Sequence, residues 1–277
     1  MLPISVVIPT YNRAQLLRRA LESVLAQSQP ALEIIVIDDG SNDETEAMIA
    51  QHYPAVRYLQ QTNRGVSAAR NYGIQQAQGE WIALLDADDE WLPGKLETQW
   101  QLIEQRPHLP LVHSNEIWIR NGRRVNQMNK HAKAGGWIFQ RCLPLCAISP
   151  SAALIHRSLF DEIGLFDEHL PACEDYDLWL RICSRYPVRY SETPLIKKYG
   201  GHADQLSRRY WGMDRFRLKA LEKILQQNHL TGEDRRAALA MLLKKSAILL
   251  KGARKHQNHF LIAECERLQN HYGQSDD

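Results

Sequence analysis

Over the first 120 residues, short apolar runs alternate with amphipathic stretches, and this order restricts the fold more than any other feature. Residues 4–8, 33–37, 56–59, 81–85 and 111–113 read as strands, and residues 14–27, 43–53, 66–77 and 93–105 as helices. In the first helix Leu16, Leu17, Ala20, Leu21, Val24 and Leu25 form a stripe at helical spacing. Pro93 stands at a plausible first position of the fourth helix, and Asp89 could cap it. Continuous apolar strands are buried on both faces. The expectation is an α/β domain with a mainly parallel sheet and helices on both faces. Ligands on such sheets bind beyond the carboxyl ends of the strands. That rule gathers residues 9–12, 38–41 and 86–89 on one rim.

The strand at residues 81–85 ends abruptly in Asp86, Asp88 and Asp89, three carboxylates in four positions. Alternation along a strand lets Asp86 and Asp88 point the same way. Like charges held together repel and lose solvation, so a partner is expected. Clustered hard oxygens suit a divalent cation such as Mg²⁺ or Mn²⁺, which would normally carry a phosphorylated substrate. On the same rim Tyr11 offers a ring to stack on a base. A carboxylate at the Asp38-Asp39 step can accept from a base N–H or a ribose hydroxyl, although Asp38 is equally readable as a buried structural group. Ser41 and Asn42 could simply start a helix. Arg70, in a helix of small residues, offers a fork of donors for phosphate, or is a surface arginine. No GxGxxG and no P-loop pattern occurs, which disfavours a dinucleotide oxidoreductase and a P-loop NTPase.

Farther along, residues 115–125 look like two short strands around Asn121-Gly122. Residues 127–136 look like a polar loop, 158–163 like a short helix and 175–186 like a longer one. From about Tyr210 the pattern is nearly all helical. The charge follows this division. Residues 205–257 hold 13 Lys/Arg against 4 Asp/Glu, whereas residues 258–277 hold 1 against 4. The amphipathic basic stretches at 215–221 and 238–254 could face solvent, pack on the main domain, meet a second copy as a homodimer, or lie on anionic lipid. They carry no recognised nucleic-acid motif, so no nucleic-acid partner is expected. The five cysteines show no CxxC spacing and read as reduced thiols. The chain enters its first strand without a signal-peptide pattern, and no stretch reaches membrane-spanning length. A cytoplasmic protein is expected, with peripheral contact at the inner face of the membrane as an option.

Five ordered motifs over roughly residues 1–200 carry a resemblance. They are Val7-Ile8-Pro9-Thr10-Tyr11-Asn12-Arg13, Val36-Ile37-Asp38-Asp39-Gly40-Ser41, Gly65-Val66-Ser67-Ala68-Ala69-Arg70-Asn71, Leu85-Asp86-Ala87-Asp88-Asp89 and Glu174-Asp175-Tyr176-Asp177-Leu178-Trp179-Leu180-Arg181. In this the chain resembles the inverting family 2 glycosyltransferases of the GT-A fold. The resemblance implies a GT-A domain over residues 1–204 and a helical basic extension over 205–277. It implies that Pro9, Tyr11, Asn12 and Asp39 hold the nucleoside and that Arg70 lies near the donor. Asp86 would be shared between ribose and metal, and Asp88 would bind the Mn²⁺ or Mg²⁺ that bridges the donor diphosphate. Asp175 would be the general base, with Glu174 beside it, and His202 a late metal- or diphosphate-contacting residue. Taken alone, Asp175 would read as a charge at a helix start. The implied activity moves a sugar from a nucleotide-diphosphate donor, a UDP-sugar above all, to a saccharide or lipid-linked saccharide in bacterial polysaccharide assembly. Two rivals remain: a sugar-1-phosphate nucleotidyltransferase, which would need a Gly-rich basic loop where residues 9–12 stand, and a noncatalytic nucleotide-sugar-binding protein.

Overall fold

The structure, a computed structural model, describes residues 1–201 and 210–273. Its strands are β1 (Leu2–Thr10), β2 (Ala31–Asp38), β3 (Arg57–Gln60), β4 (Trp81–Leu84), β5 (Glu90–Trp91), β6 (Leu111–Arg120), β7 (Arg123–Val125), β8 (Leu154–His156) and β9 (Arg189–Gly200). They form one sheet in the order β3-β2-β1-β4-β8-β6-β9-β5, with β7 hairpinned onto β6. Neighbours from β3 to β4 are parallel. Antiparallel pairing enters at β8, and β6 and β9 then run parallel over a long stretch. The α/β sheet expected from the alternation is therefore present, extended at one side by a mixed half.

The helices are α1 (Ala14–Leu25), α2 (Thr45–His52), α3 (Val66–Gln76), α4 (Lys95–Gln105), α5 (Phe139–Cys142), α6 (Ser158–Ile163), α7 (Glu174–Cys183), α8 (Asp214–Leu225), α9 (Gly232–Lys255) and α10 (His259–Tyr272). The two faces of β1 show why its run is apolar apart from Ser5, which is buried and donates to Glu33. Ile4, Val6 and Ile8 share a core with Leu17 and Leu21 of α1, Met48 of α2 and Leu96 of α4, whereas Val7 joins Ala69 and Ile74 of α3. Leu17 and Leu21 are fully buried, each worth about 1.5–3 kcal/mol of apolar transfer. The apolar residues of α8, α9 and α10 lie in the same cluster as Tyr176 and Trp179 of α7.

Several boundaries differ from the sequence reading. Pro93 lies outside α4, which follows Gly94 in a left-handed conformation at φ 79°. Ser41 and Asn42 precede α2 by several residues and instead tie down the β1 loop. The hairpin at Asn121-Gly122 is as expected, with both residues at positive φ. Strands β5, β8 and β9 lie outside the strands expected from the sequence. In β9, Pro194 sits where the register with β6 shifts, a place where a strand tolerates a missing donor. No helix among the described residues is long and apolar enough to cross a membrane.

Two consequences can be measured. A Cβ on Gly73 would fall 3.1 Å from Cγ1 of Ile37 and closer still to Val7. Gly73→Ala is therefore expected to cost about 1–3 kcal/mol of overpacking, despite the better helix former. A urea midpoint equal to or above wild type would contradict that close approach. Lys95 is fully buried, donates from Nζ to Gln99 Oε1 at 2.6 Å and lies 4.0 Å from the Trp91 ring centre. Burial pulls its ammonium from 10.5 down to about 7. The unfolded chain then binds the proton more tightly than the folded one, so this group makes stability rise with pH between about 7 and 10.5. Lys95→Met is expected to flatten that rise, as read from urea midpoints at pH 7 and pH 9.

Candidate active site

The carboxyl ends of β1, β2 and β4 meet on one rim, where Thr10 is in register with Asp38 and Val7 with Leu84. Beyond β1 the chain turns through Asn12 at φ 50°, a left-handed conformation that Asn tolerates better than most residues. The Asn12 amide donates to Ser41 Oγ, and Asn12 Oδ1 accepts from the Asn42 amide, both at 2.8 Å. This clasp joins the first two rim loops. Pro9 is buried at the end of β1, and Tyr11 is 45% exposed. Asp38 is buried and accepts from the Ser41 amide and the Tyr58 hydroxyl, so it serves the loop. Asp39 accepts from Gln61 Nε2, the Arg64 amide and the Gly65 amide, which fixes the approach to α3.

The three carboxylates after β4 do converge. Asp86, Asp88 and Asp89 each offer an oxygen, and these atoms lie within 4.8 Å of one another. A set of hard oxygens this close fits a divalent cation. The three are not equivalent. Asp88 Oδ2 accepts from Arg13 Nη1 at 3.1 Å, and its carbonyl accepts from Arg19. Asp86 Oδ1 meets Arg70 Nη2 at 2.6 Å. Asp89 does not cap α4. It is 2% exposed, with Oδ2 accepting from Ser151 Oγ at 2.5 Å and Oδ1 from the Tyr199 amide at 2.9 Å. Burial, and then the charges of Asp88 and Asp86, push its carboxyl well above the usual range.

Arg70 is no surface arginine. It is 3% exposed and spans two acids, Asp86 and Glu174, with both nitrogen–oxygen distances at 2.6 Å. Glu174 opens α7, and burial raises its carboxyl against the opposing pull of Arg70. Next to it Asp175 is partly exposed at the positive end of α7. Asp175 Oδ1 accepts from the Tyr176 amide at 2.7 Å, and Oδ2 accepts from the Cys146 thiol at 3.0 Å. Arg70 thus links the carboxylate cluster to the Glu174-Asp175 pair, and Arg13 links the cluster to the Tyr11-Asn12 loop. His202 lies outside the described residues.

Three residues of this site gave no signal by spacing. Cys146 and Ser151 come from an irregular segment between α5 and β8. Lys198 comes from β9, from the lysine pair inside Leu195-Ile196-Lys197-Lys198-Tyr199. Lys198 Nζ donates to Ser149 Oγ at 2.9 Å. Burial opposes its charge, but Glu116, Asp89, Cys146 and Asp175 outweigh burial and raise its pKa. Glu116 is paired with Lys133 at 3.1 Å. Burial pushes the Glu116 carboxyl up, but Lys133 and Lys198 prevail and hold it at about 2. Beside this pair opens a cavity of about 400 Å³, with Asn115, Trp118, Gln127 and Tyr190 in its wall.

Residues 5–164 match the sequence model of glycosyl transferase family 2. An uncharacterized glycosyltransferase of Rickettsia felis is 33% identical over 213 residues, which cover 74% of this chain and 35% of that protein. Escherichia coli YibD, also an uncharacterized glycosyltransferase, is 48% identical over 98 residues, covering 34% of this chain and 28% of YibD. The chain thus spans about a third of the length of these curated relatives. Residues 1–349 of Staphylococcus aureus TarS, crystallised with UDP-GlcNAc, share the fold at a TM-score of 0.69 and 21% identity, covering 88% of this chain and 71% of that one.

Removing the cation from between the buried Glu174 and the half-buried Asp86 leaves uncompensated charge. Arg70→Met is expected to lower stability by about 3–5 kcal/mol, and adding Glu174→Gln should recover part of the loss. Chemical denaturation of the single and double variants checks this. Additive losses would mean that the two residues are not coupled.

Proposed function

The chain belongs to glycosyl transferase family 2, and from that premise we propose that it is a metal-dependent, inverting glycosyltransferase of the GT-A type. The donor is a nucleotide-diphosphate sugar, with UDP the first base to try because the TarS structure holds UDP-GlcNAc. The acceptor is a hydroxyl of a saccharide or lipid-linked saccharide. One observation carries this reading: the convergence of Asp86 and Asp88, through Arg70, on the Glu174-Asp175 pair.

Asp175 takes the proton from the acceptor hydroxyl as its oxygen attacks the anomeric carbon, and the bond to the nucleoside diphosphate breaks on the opposite side. One base suffices, because attack opposite the leaving group inverts the centre without a protein nucleophile. Asp175 suits the task, since its carboxylate is partly exposed and sits at a helix N-terminus that favours the ionised form. The Cys146 thiol holds Asp175 Oδ2 in place and is displaced when a hydroxyl takes that oxygen. Glu174, fixed by Arg70, sets the start of α7 and hence the direction of Asp175. Asp86 and Asp88 would hold a Mn²⁺ or Mg²⁺ ion, which would supply positive charge for the departing diphosphate. Tyr11 offers an exposed ring for the base. Asp39 has used three of its about four acceptor positions on the protein, which leaves room for one nucleoside donor.

The cavity beside Glu116 and Lys133 is the seat we assign to the acceptor. Its amides, aromatic rings and paired charges suit a sugar ring, and about 400 Å³ lies within the range of ligand cavities. A nucleotidyltransferase fits less well, because Pro9-Thr10-Tyr11-Asn12-Arg13 is not a glycine-rich triphosphate loop. The test is donor hydrolysis with Mn²⁺ across a panel of nucleotide sugars. Asp88→Ala and Asp175→Asn are each expected to lose at least about 100-fold of turnover, at the lower end of general-base contributions. Equal turnover in all three proteins would remove both residues from the mechanism.

A further inference from the structure

Ser151 is fully buried in a short turn, Pro150–Ala152, that crosses beneath the end of β4. Its Oγ makes two bonds to the carboxylate segment. It accepts from the Asp86 amide at 3.1 Å and donates to Asp89 Oδ2 at 2.5 Å. One hydroxyl thereby spans the first and last members of the cluster. The turn is fixed in its own right. The Ser151 carbonyl accepts from Trp91 Nε1 at 2.9 Å, and the Ala152 carbonyl accepts from Gln99 Nε2 at 2.8 Å. Gln99 in turn is held by Lys95. None of these groups faces solvent, so a rigid, dry frame reaches from α4 to the carboxylates.

From this geometry we infer that Ser151 is a positioning residue that sets the cation affinity of the Asp86-Asp88 site; the inference rests on the metal-dependent reading given above. Asp89 has both oxygens engaged by protein donors, Ser151 and the Tyr199 amide, and is the dry anchor of the loop rather than its open ligand. With Asp89 pinned on one side and the Asp86 amide on the other, the segment between them has little freedom. Asp86 and Asp88 are then presented together. Partners that orient metal ligands without touching the metal typically change affinity by about 10–100-fold when removed. A loose segment would have to be ordered at the moment of binding, at a cost in backbone freedom.

The experiment is Mn²⁺ titration in the presence of UDP, followed by the electron paramagnetic resonance signal of the free ion. Ser151→Ala is expected to weaken Mn²⁺ binding at least about tenfold. Ser151→Cys keeps the shape with a weaker donor and should fall between Ser151→Ala and wild type. Asp88→Ala serves as the loss-of-ligand reference, and near-ultraviolet circular dichroism verifies the tertiary fold of each variant. If wild type binds Mn²⁺ and Ser151→Ala binds within about twofold of it, the positioning role is overturned while the metal reading stands. If wild type itself takes up no Mn²⁺ with UDP present, the metal reading falls, and this inference falls with it.

Discussion

The buried guanidinium of Arg70 is the interaction on which the rest of the site depends. It reaches from α3 to Asp86, beyond β4, and to Glu174, at the start of α7. Those acids belong to the parallel half of the sheet and to the helix behind it, so one planar fork fixes the spacing between the two. Lysine could supply the charge but not two bonds in a fixed plane. A buried ion pair adds little net stability compared with an apolar replacement. Its value here is geometric, because it holds two carboxylate groups at a set separation despite their repulsion. Nε of Arg70 has no hydrogen-bond partner among the described residues.

The parallel half of the molecule was legible because burial on both faces writes a simple pattern. A strand such as β1 must be apolar at nearly every position, and a helix such as α3 that approaches the sheet at Gly73 must be small there. The rim was legible for the same reason, since Asp39, Asp86 and Asp88 are conspicuous where such runs stop. The mixed half carries no such pattern. Strand β5 has two residues, and β9 mixes Pro194, lysines and a tyrosine because one side of it faces the site. Ser151, Cys146 and Lys198 arrive from those segments and could be found only by assembling the sheet. Asp89 was misread for a related reason. Spacing tells that three carboxylates are close, but not which of them is dry.

The C-terminal helices bear on the site through α7. Lys223 of α8 lies 3.1 Å from Asp177 and 2.8 Å from Asp167, and Lys245 of α9 reaches both Asp214 and the Pro144 carbonyl. Their apolar residues bury the back of Tyr176 and Trp179. Much of the positive charge that looked like a surface feature in the sequence also answers specific acids. The helix that presents Asp175 is thus clamped from behind by elements far along the chain.

Strand β9 has a consequence for how the molecule comes into being. The family match ends at residue 164, yet the Asp89 carboxylate is satisfied by an amide at position 199. The matched segment holds the parallel strands and the rim loops but not this donor of the carboxylate turn. On a ribosome, that donor is synthesised 110 residues after the carboxylate it serves. The carboxylate turn gains its second donor only when β9 pairs with β6.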